Sequence, residues 1–187
     1  MKKLKKFCTR DIVFLSLLST LAFISVCFIK IPLLPSAPFL RFDIRDAIIL
    51  IGGLIYGPFA AFIVAFIAGL LQFLFISGGS GIIGFLMNLI STASFVCPAS
   101  FIYRKGKNYR IIFICLAFGC SIMSVNMLLW NYIITPFFMG VPRDVIVSML
   151  IPVFLPFNML KGCINSVIVL LCFKPLMSTA QSLRLNY

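Results

Sequence analysis

The chain has 187 residues, of which 62% are hydrophobic and 11% charged, and its formal net charge is +12. An ordinary soluble domain carries about 25% charged residues, so most of this surface faces lipid. A bilayer core takes roughly 20 apolar residues per helical span, and about six such stretches use up the chain, which excludes a soluble catalytic domain.

Helix 1 is expected at about 11–29. It has a basic start in Lys2, Lys3, Lys5, Lys6 and Arg10, but its apolar run is long for a secretory signal, Asp11 precedes it and no A-x-A-like site follows. It therefore reads as a retained span. The stretch 30–45 contains Pro32, Pro35 and Pro38 and reads as an apolar loop. Helix 2 starts at Asp43 or Asp46, either carboxylate suiting the positive end of the helix dipole, and its core, about 46–56, is short for a span. Gly57-Pro58 turns the chain into helix 3, about 59–76, where Ala61, Ala65 and Gly69 continue the four-residue spacing of Gly53 and Gly57. Small residues at that spacing let helices approach closely in lipid.

Residues 77–81 (Ser-Gly-Gly-Ser-Gly) break the chain before helix 4, about 82–103, which ends in the basic stretch Arg104, Lys105, Lys107 and Arg110. Helix 5 covers about 111–137, and helix 6 about 145–173 with Pro152 and Pro156 kinking or delaying its start. The expected fold is an all-α membrane protein, six transmembrane helices in one compact bundle forming a single domain over 1–187. The lysines and arginines flank apolar spans, which argues for membrane orientation rather than nucleic-acid binding. Their distribution puts both termini in the cytoplasm and the 30–45 loop outside.

Catalytic constellations are absent from the sequence, which has no histidine, no glutamate, no Walker A motif and no dinucleotide fingerprint. Seven cysteines without a C-x-x-C pair read as small buried hydrophobes rather than metal ligands. The informative residues are polar groups inside apolar spans. Lys161 is the charge placed well inside a helix, at an insertion cost of about 2.5–3.5 kcal/mol at the bilayer centre, and Asn158 shares its face. Counting rises of 1.5 Å per residue, Asn88, Asn131 and Lys161 all lie roughly 7–10 Å below the external surface. Trp130, Tyr132, Phe157 and Met87 lie beside them as surfaces for a flat ring. Together they imply an outward-facing pocket for a small neutral or weakly anionic molecule that accepts hydrogen bonds. A cation such as thiamine is disfavoured, because Lys161 is expected there with no buried carboxylate.

The stretch Phe42-Asp43-Ile44-Arg45-Asp46, followed by Gly52-Gly53-Leu54-Ile55-Tyr56-Gly57-Pro58, resembles the S components of energy-coupling factor (ECF) vitamin importers. Pro156-Phe157-Asn158-Met159-Leu160-Lys161 resembles above all the riboflavin-specific branch, and Gly81 to Asn88 and Asn131 extend the likeness over nearly the whole chain. The resemblance implies that Asn131, Asn158 and Lys161 hydrogen-bond an isoalloxazine ring, with Asn88 at the same level, and that the loop from Leu40 to Asp43 closes over the ligand. It also implies docking to a transmembrane coupling subunit through small residues on helix 1. The matching positions are Ser16 and Thr20, where the family carries alanines, and the basic residue common along helix 3 of relatives is replaced near Gly69 by Gln72. ATP hydrolysis is then the work of two partner ATPases, the chain being no enzyme and holding no cofactor, with riboflavin as its cargo. Another vitamin or flavin, such as pantothenate or FMN, and a stand-alone facilitator remain as alternatives.

Overall fold

The computed structural model describes residues 8–35, 37, 40–76, 81–106 and 108–182, with side chains left out at 174 and 176–182. The lysines at 2–6, the expected break at 77–80, Lys107 and Arg184 lie outside the described residues. The elements run α1 (Thr9–Phe28), β1 (Ile31–Pro32), β2 (Arg41–Phe42), α2 (Arg45–Tyr56), α3 (Pro58–Ile76), α4 (Gly81–Gly106), α5 (Tyr109–Met139), α6 (Arg143–Met149), a π turn (Leu150–Phe154) and α7 (Leu155–Ser182). Among the described residues, five stretches are long and apolar enough to cross a membrane: α1, α3, α4, α5 and Arg143–Phe173. The protein is thus a multi-pass helical membrane protein.

The bundle is organised around α2. This helix has 12 residues, and all but Ile48 are buried. It touches α1, α3, α4 and α7. Beyond its first two residues, Arg45 and Asp46, the helix is apolar on every face and so belongs in the interior, and Ile49, Leu50, Leu54 and Ile55 are all buried. Small residues make that closeness possible. A Cβ on Gly53 would overlap the Ser100 hydroxyl of α4 and lie 2.9 Å from Ala61 of α3. On α5, a Cβ on Gly119 would stand 2.6 Å from the Phe95 carbonyl oxygen of α4, so the α4–α5 contact is backbone against backbone. Gly57 ends α2 at φ 98°, a left-handed conformation that suits glycine.

The outer surface carries Phe59, Leu74, Phe75, Ile114, Val125 and Leu171, all strongly exposed, as expected of side chains that meet lipid tails.

Several details depart from the expected elements. The proline-rich loop contains a short antiparallel ladder pairing Ile31 with Phe42 and Pro32 with Arg41, so the loop's two ends are tied together. α4 runs on to Gly106 and α5 to Met139. The last helix begins at Arg143, is interrupted by the π turn around Pro152, and α7 continues to Ser182. Pro152 has no N–H to donate to the preceding turn, which accounts for the wider winding there.

Candidate functional site

A cavity of about 580 Å³ opens at one end of the bundle. Its walls come from the C-terminal ends of α1, α3 and α5, the N-terminal ends of α4 and α7, the π turn and the β2 strand with the residues after it. The residues expected to act together are brought together there: Leu40, Asp43, Asn88, Asn131, Asn158 and Lys161 all line this space. Met87 and Phe157 line it too, but Trp130 and Tyr132 do not. Tyr132 instead sits under the Arg143 guanidinium, 5.9 Å from its ring centroid. Successive residues on a helix point about 100° apart, so the immediate neighbours of Asn131 face elsewhere.

The amides are held by their own helices. Asn131 donates from Nδ2 to the Met127 carbonyl at 2.7 Å, and its Oδ1 accepts the Thr135 hydroxyl at 2.9 Å. Asn158 donates from Nδ2 to the Phe154 carbonyl, at the end of the π turn, at 2.7 Å. Each side chain is thereby fixed before any ligand arrives, which removes part of the ordering cost of binding. Asp43 is buried, and its Oδ1 has no hydrogen-bond partner among the described residues.

Behind the wall lies a cluster that corrects the sequence reading in two respects. Lys161 is not the only charge in the interior, because Arg45 and Asp46 of α2 are each 1% exposed. Nor does it lack a buried carboxylate, since its Nζ stands 2.9 Å from Asp46 Oδ2. The exclusion of cationic ligands on that ground therefore fails. Asp46 Oδ1 accepts the Thr92 hydroxyl at 2.7 Å and lies 3.6 Å from Arg45 Nη2. Arg45 donates from Nη2 to the Thr92 oxygen at 3.0 Å and from Nη1 to the Gln72 side-chain oxygen. One carboxylate thus serves two cations, with Thr92 bridging between them. Buried charges are tolerated when paired and hydrogen-bonded in this way, while removing one partner alone is strongly destabilising.

Sequence reasoning also misses a buried amide. Asn165, one turn beyond Lys161, is fully buried. It donates from Nδ2 to the Lys161 carbonyl at 3.0 Å and accepts the Ala47 N–H on Oδ1 at 3.1 Å. Ala47 lies in the first turn of α2, whose N–H groups have no partner within the helix, and the residue capping α2, Ile44, offers no side-chain hydrogen bond. Asn165 therefore caps α2 from another helix. The signal is present as Asn158, Lys161 and Asn165 at spacings of three and four along one helix face.

On α1, Ser16 and Thr20 are exposed beside Ile12, Val13, Leu17 and Leu21. Their hydroxyls bond back to the carbonyls of Ile12 and Ser16, at 2.9 and 3.0 Å. This leaves a low, apolar helix face free of unsatisfied polar groups. Among the described residues no group of histidine, cysteine or acidic side chains could hold a metal ion.

The family described as "ECF transporter, substrate-specific component" matches residues 10–173. Riboflavin transporter FmnP of Bacillus subtilis (strain 168) is 27% identical over 172 residues, 88% of this chain and 90% of that protein. Riboflavin transporter RibU of Streptococcus thermophilus is 30% identical over 178 residues, 91% of this chain and 84% of that protein. Riboflavin transporter RibU of Staphylococcus aureus is 28% identical over 185 residues, 94% of each. A solved S component of a bacterial ECF transporter superposes with a TM-score of 0.79 at 28% identity, covering 91% of this chain and 96% of that one.

Proposed function

The chain belongs to the family of ECF transporter substrate-specific components, and from that premise we propose that it captures riboflavin at a bacterial plasma membrane for an ATP-driven importer. The observation that carries this is the convergence of Asn88, Asn131, Asn158 and Lys161 on one cavity of about 580 Å³, within the 300–1,000 Å³ range of small-molecule sites. Relatives that cover nearly the whole chain and bear the name riboflavin transporter support the choice of ligand.

In this reading Lys161 and the amides of Asn131 and Asn158 hydrogen-bond the ring's carbonyl oxygens and nitrogens, with Asn88 across from them. Phe157, Phe154 and Met87 give the ring apolar surface. Asp43 Oδ1, which has no hydrogen-bond partner among the described residues, is an acceptor for the sugar-like side chain's hydroxyls, and the tied loop from Leu40 to Asp43 covers the ligand. The short α2 counts as a sixth membrane-embedded helix, both termini face the cytoplasm, and the cavity opens outward, in keeping with the basic flanks.

A membrane subunit of this family hydrolyses nothing. The partners are a transmembrane coupling subunit and two ATPases, and the smooth face around Ser16 and Thr20 is the docking surface for the first of them. Close packing against such a face suits small residues in lipid.

The test is the absorption spectrum of the purified protein, then quenching of riboflavin fluorescence on titration with it. Stoichiometric quenching that weakens in Lys161→Ala and Asn158→Ala is the expected result. A colourless protein that leaves riboflavin fluorescence unchanged would remove riboflavin as the ligand.

A further inference from the structure

Asp46 does not border the cavity, yet it is the group that holds Lys161, which does. Its two oxygens are divided: Oδ2 faces the Lys161 ammonium at 2.9 Å, and Oδ1 takes the Thr92 hydroxyl beside Arg45. The three charged residues are each at most 4% exposed, so water screens little of their interaction. Arg45 does not itself line the cavity; it donates to Thr92 behind the wall and to the side-chain oxygen of Gln72, which does line it. Besides Lys30, Arg41 and Asp43 from the loop after α1, the cavity is lined by Lys161 already balanced by a carboxylate: a hydrogen-bond donor with its positive charge largely cancelled.

We propose that Asp46 is a positioning residue for Lys161, and that by balancing its charge it sets the cavity to hold an uncharged flavin ring and to disfavour an anionic one. This role rests on riboflavin being the ligand and adds a specificity determinant to that reading. Discrimination of this kind is a difference between two affinities, here between two redox forms of one ligand. The oxidised ring is neutral. On taking two electrons and one proton it becomes, in mildly alkaline buffer, an anionic dihydroflavin of nearly the same shape. An unbalanced cation beside the ring favours that anion whichever edge of the ring it meets.

The experiment compares the midpoint potential of bound riboflavin in the wild type, Asp46→Asn, Asp46→Glu and the double variant Arg45→Gln/Asp46→Asn, by anaerobic dithionite titration of the purified protein followed by absorbance. Asp46→Asn leaves two buried cations without a counter-ion, which penalises folding. The double variant keeps the cluster at one net positive charge, as in the wild type, while freeing Lys161 of its carboxylate. The expected result is a rise of tenfold or more in the preference for the reduced ring in both neutralised forms. For a two-electron couple this is a potential about 30 mV more positive per factor of ten. Asp46→Glu should stay near the wild-type potential even if both redox forms bind more weakly. A double variant that binds riboflavin at the wild-type potential overturns the role of Asp46 and leaves riboflavin capture standing. A wild type that binds no riboflavin overturns the functional reading and this inference with it.

Discussion

Replacing Asn165 with leucine isolates the bond that fixes the start of α2. The side chain is fully buried and of similar size to leucine, so the change removes polarity more than volume. Two hydrogen bonds are lost, at 3.1 Å from the Ala47 N–H and at 3.0 Å to the Lys161 carbonyl. The second matters less, because that carbonyl keeps its place in the α7 ladder. The first leaves a fully buried first-turn N–H with nothing in its own helix to receive it, which costs about 1–3 kcal/mol. A value near 2 kcal/mol corresponds to about a thirtyfold shift in the folding equilibrium, at 1.4 kcal/mol per factor of ten. Equilibrium unfolding in mixed micelles reads this directly, with the single tryptophan, Trp130, as the fluorescent probe. Because Ala47 follows Asp46 in the chain, riboflavin affinity should also fall in the variant. Stability within about 0.5 kcal/mol of wild type, the range of an inconsequential surface change, would refute the assignment of Asn165 as the cap of α2.

Lys161→Ala should weaken riboflavin binding by about tenfold to a hundredfold, the equivalent of a charged hydrogen bond of about 1.5–3 kcal/mol, measured by fluorescence quenching. Asn158→Ala should act in the same direction and less strongly, since a neutral hydrogen bond contributes about 0.5–1.5 kcal/mol. Gly119→Ala places a methyl group 2.6 Å from the Phe95 carbonyl oxygen, and should lower stability by about 1–3 kcal/mol through forced separation of α4 and α5, read as a lower unfolding midpoint in detergent. Ser16→Phe with Thr20→Phe fills the low face of α1 and should reduce riboflavin uptake by cells while the purified protein still quenches riboflavin fluorescence.

Much of the architecture is legible in the sequence because lipid imposes long apolar stretches, and prolines and glycines punctuate them. The level shared by Asn88, Asn131 and Lys161 comes from helical rise alone, and the structure brings these three to one cavity. Relationships between elements are what escape. Arg45 and Asp46 stand next to each other beside a loop, where opposite charges ordinarily face water, and nothing local reveals that α2 is enclosed by four other helices. Asn165 looks like one more polar residue on a helix, because its partner is a backbone N–H 118 residues earlier. The misplacement of Trp130 and Tyr132 has a different origin: nearness along the chain is not nearness in space, since neighbours on a helix diverge by about 100°.

The π turn at Leu150–Phe154 acts on the angular phase of the helix downstream of it. A π turn amounts to one extra residue inside a helix, and one residue is about 100° of rotation. Asn158, Lys161 and Asn165 all lie beyond it on one rigid helix, so this single added residue aims all three. The cavity amide, the cavity ammonium and the cap of α2 therefore share one angular setting, and deleting a residue from the turn would rotate them away from their partners together.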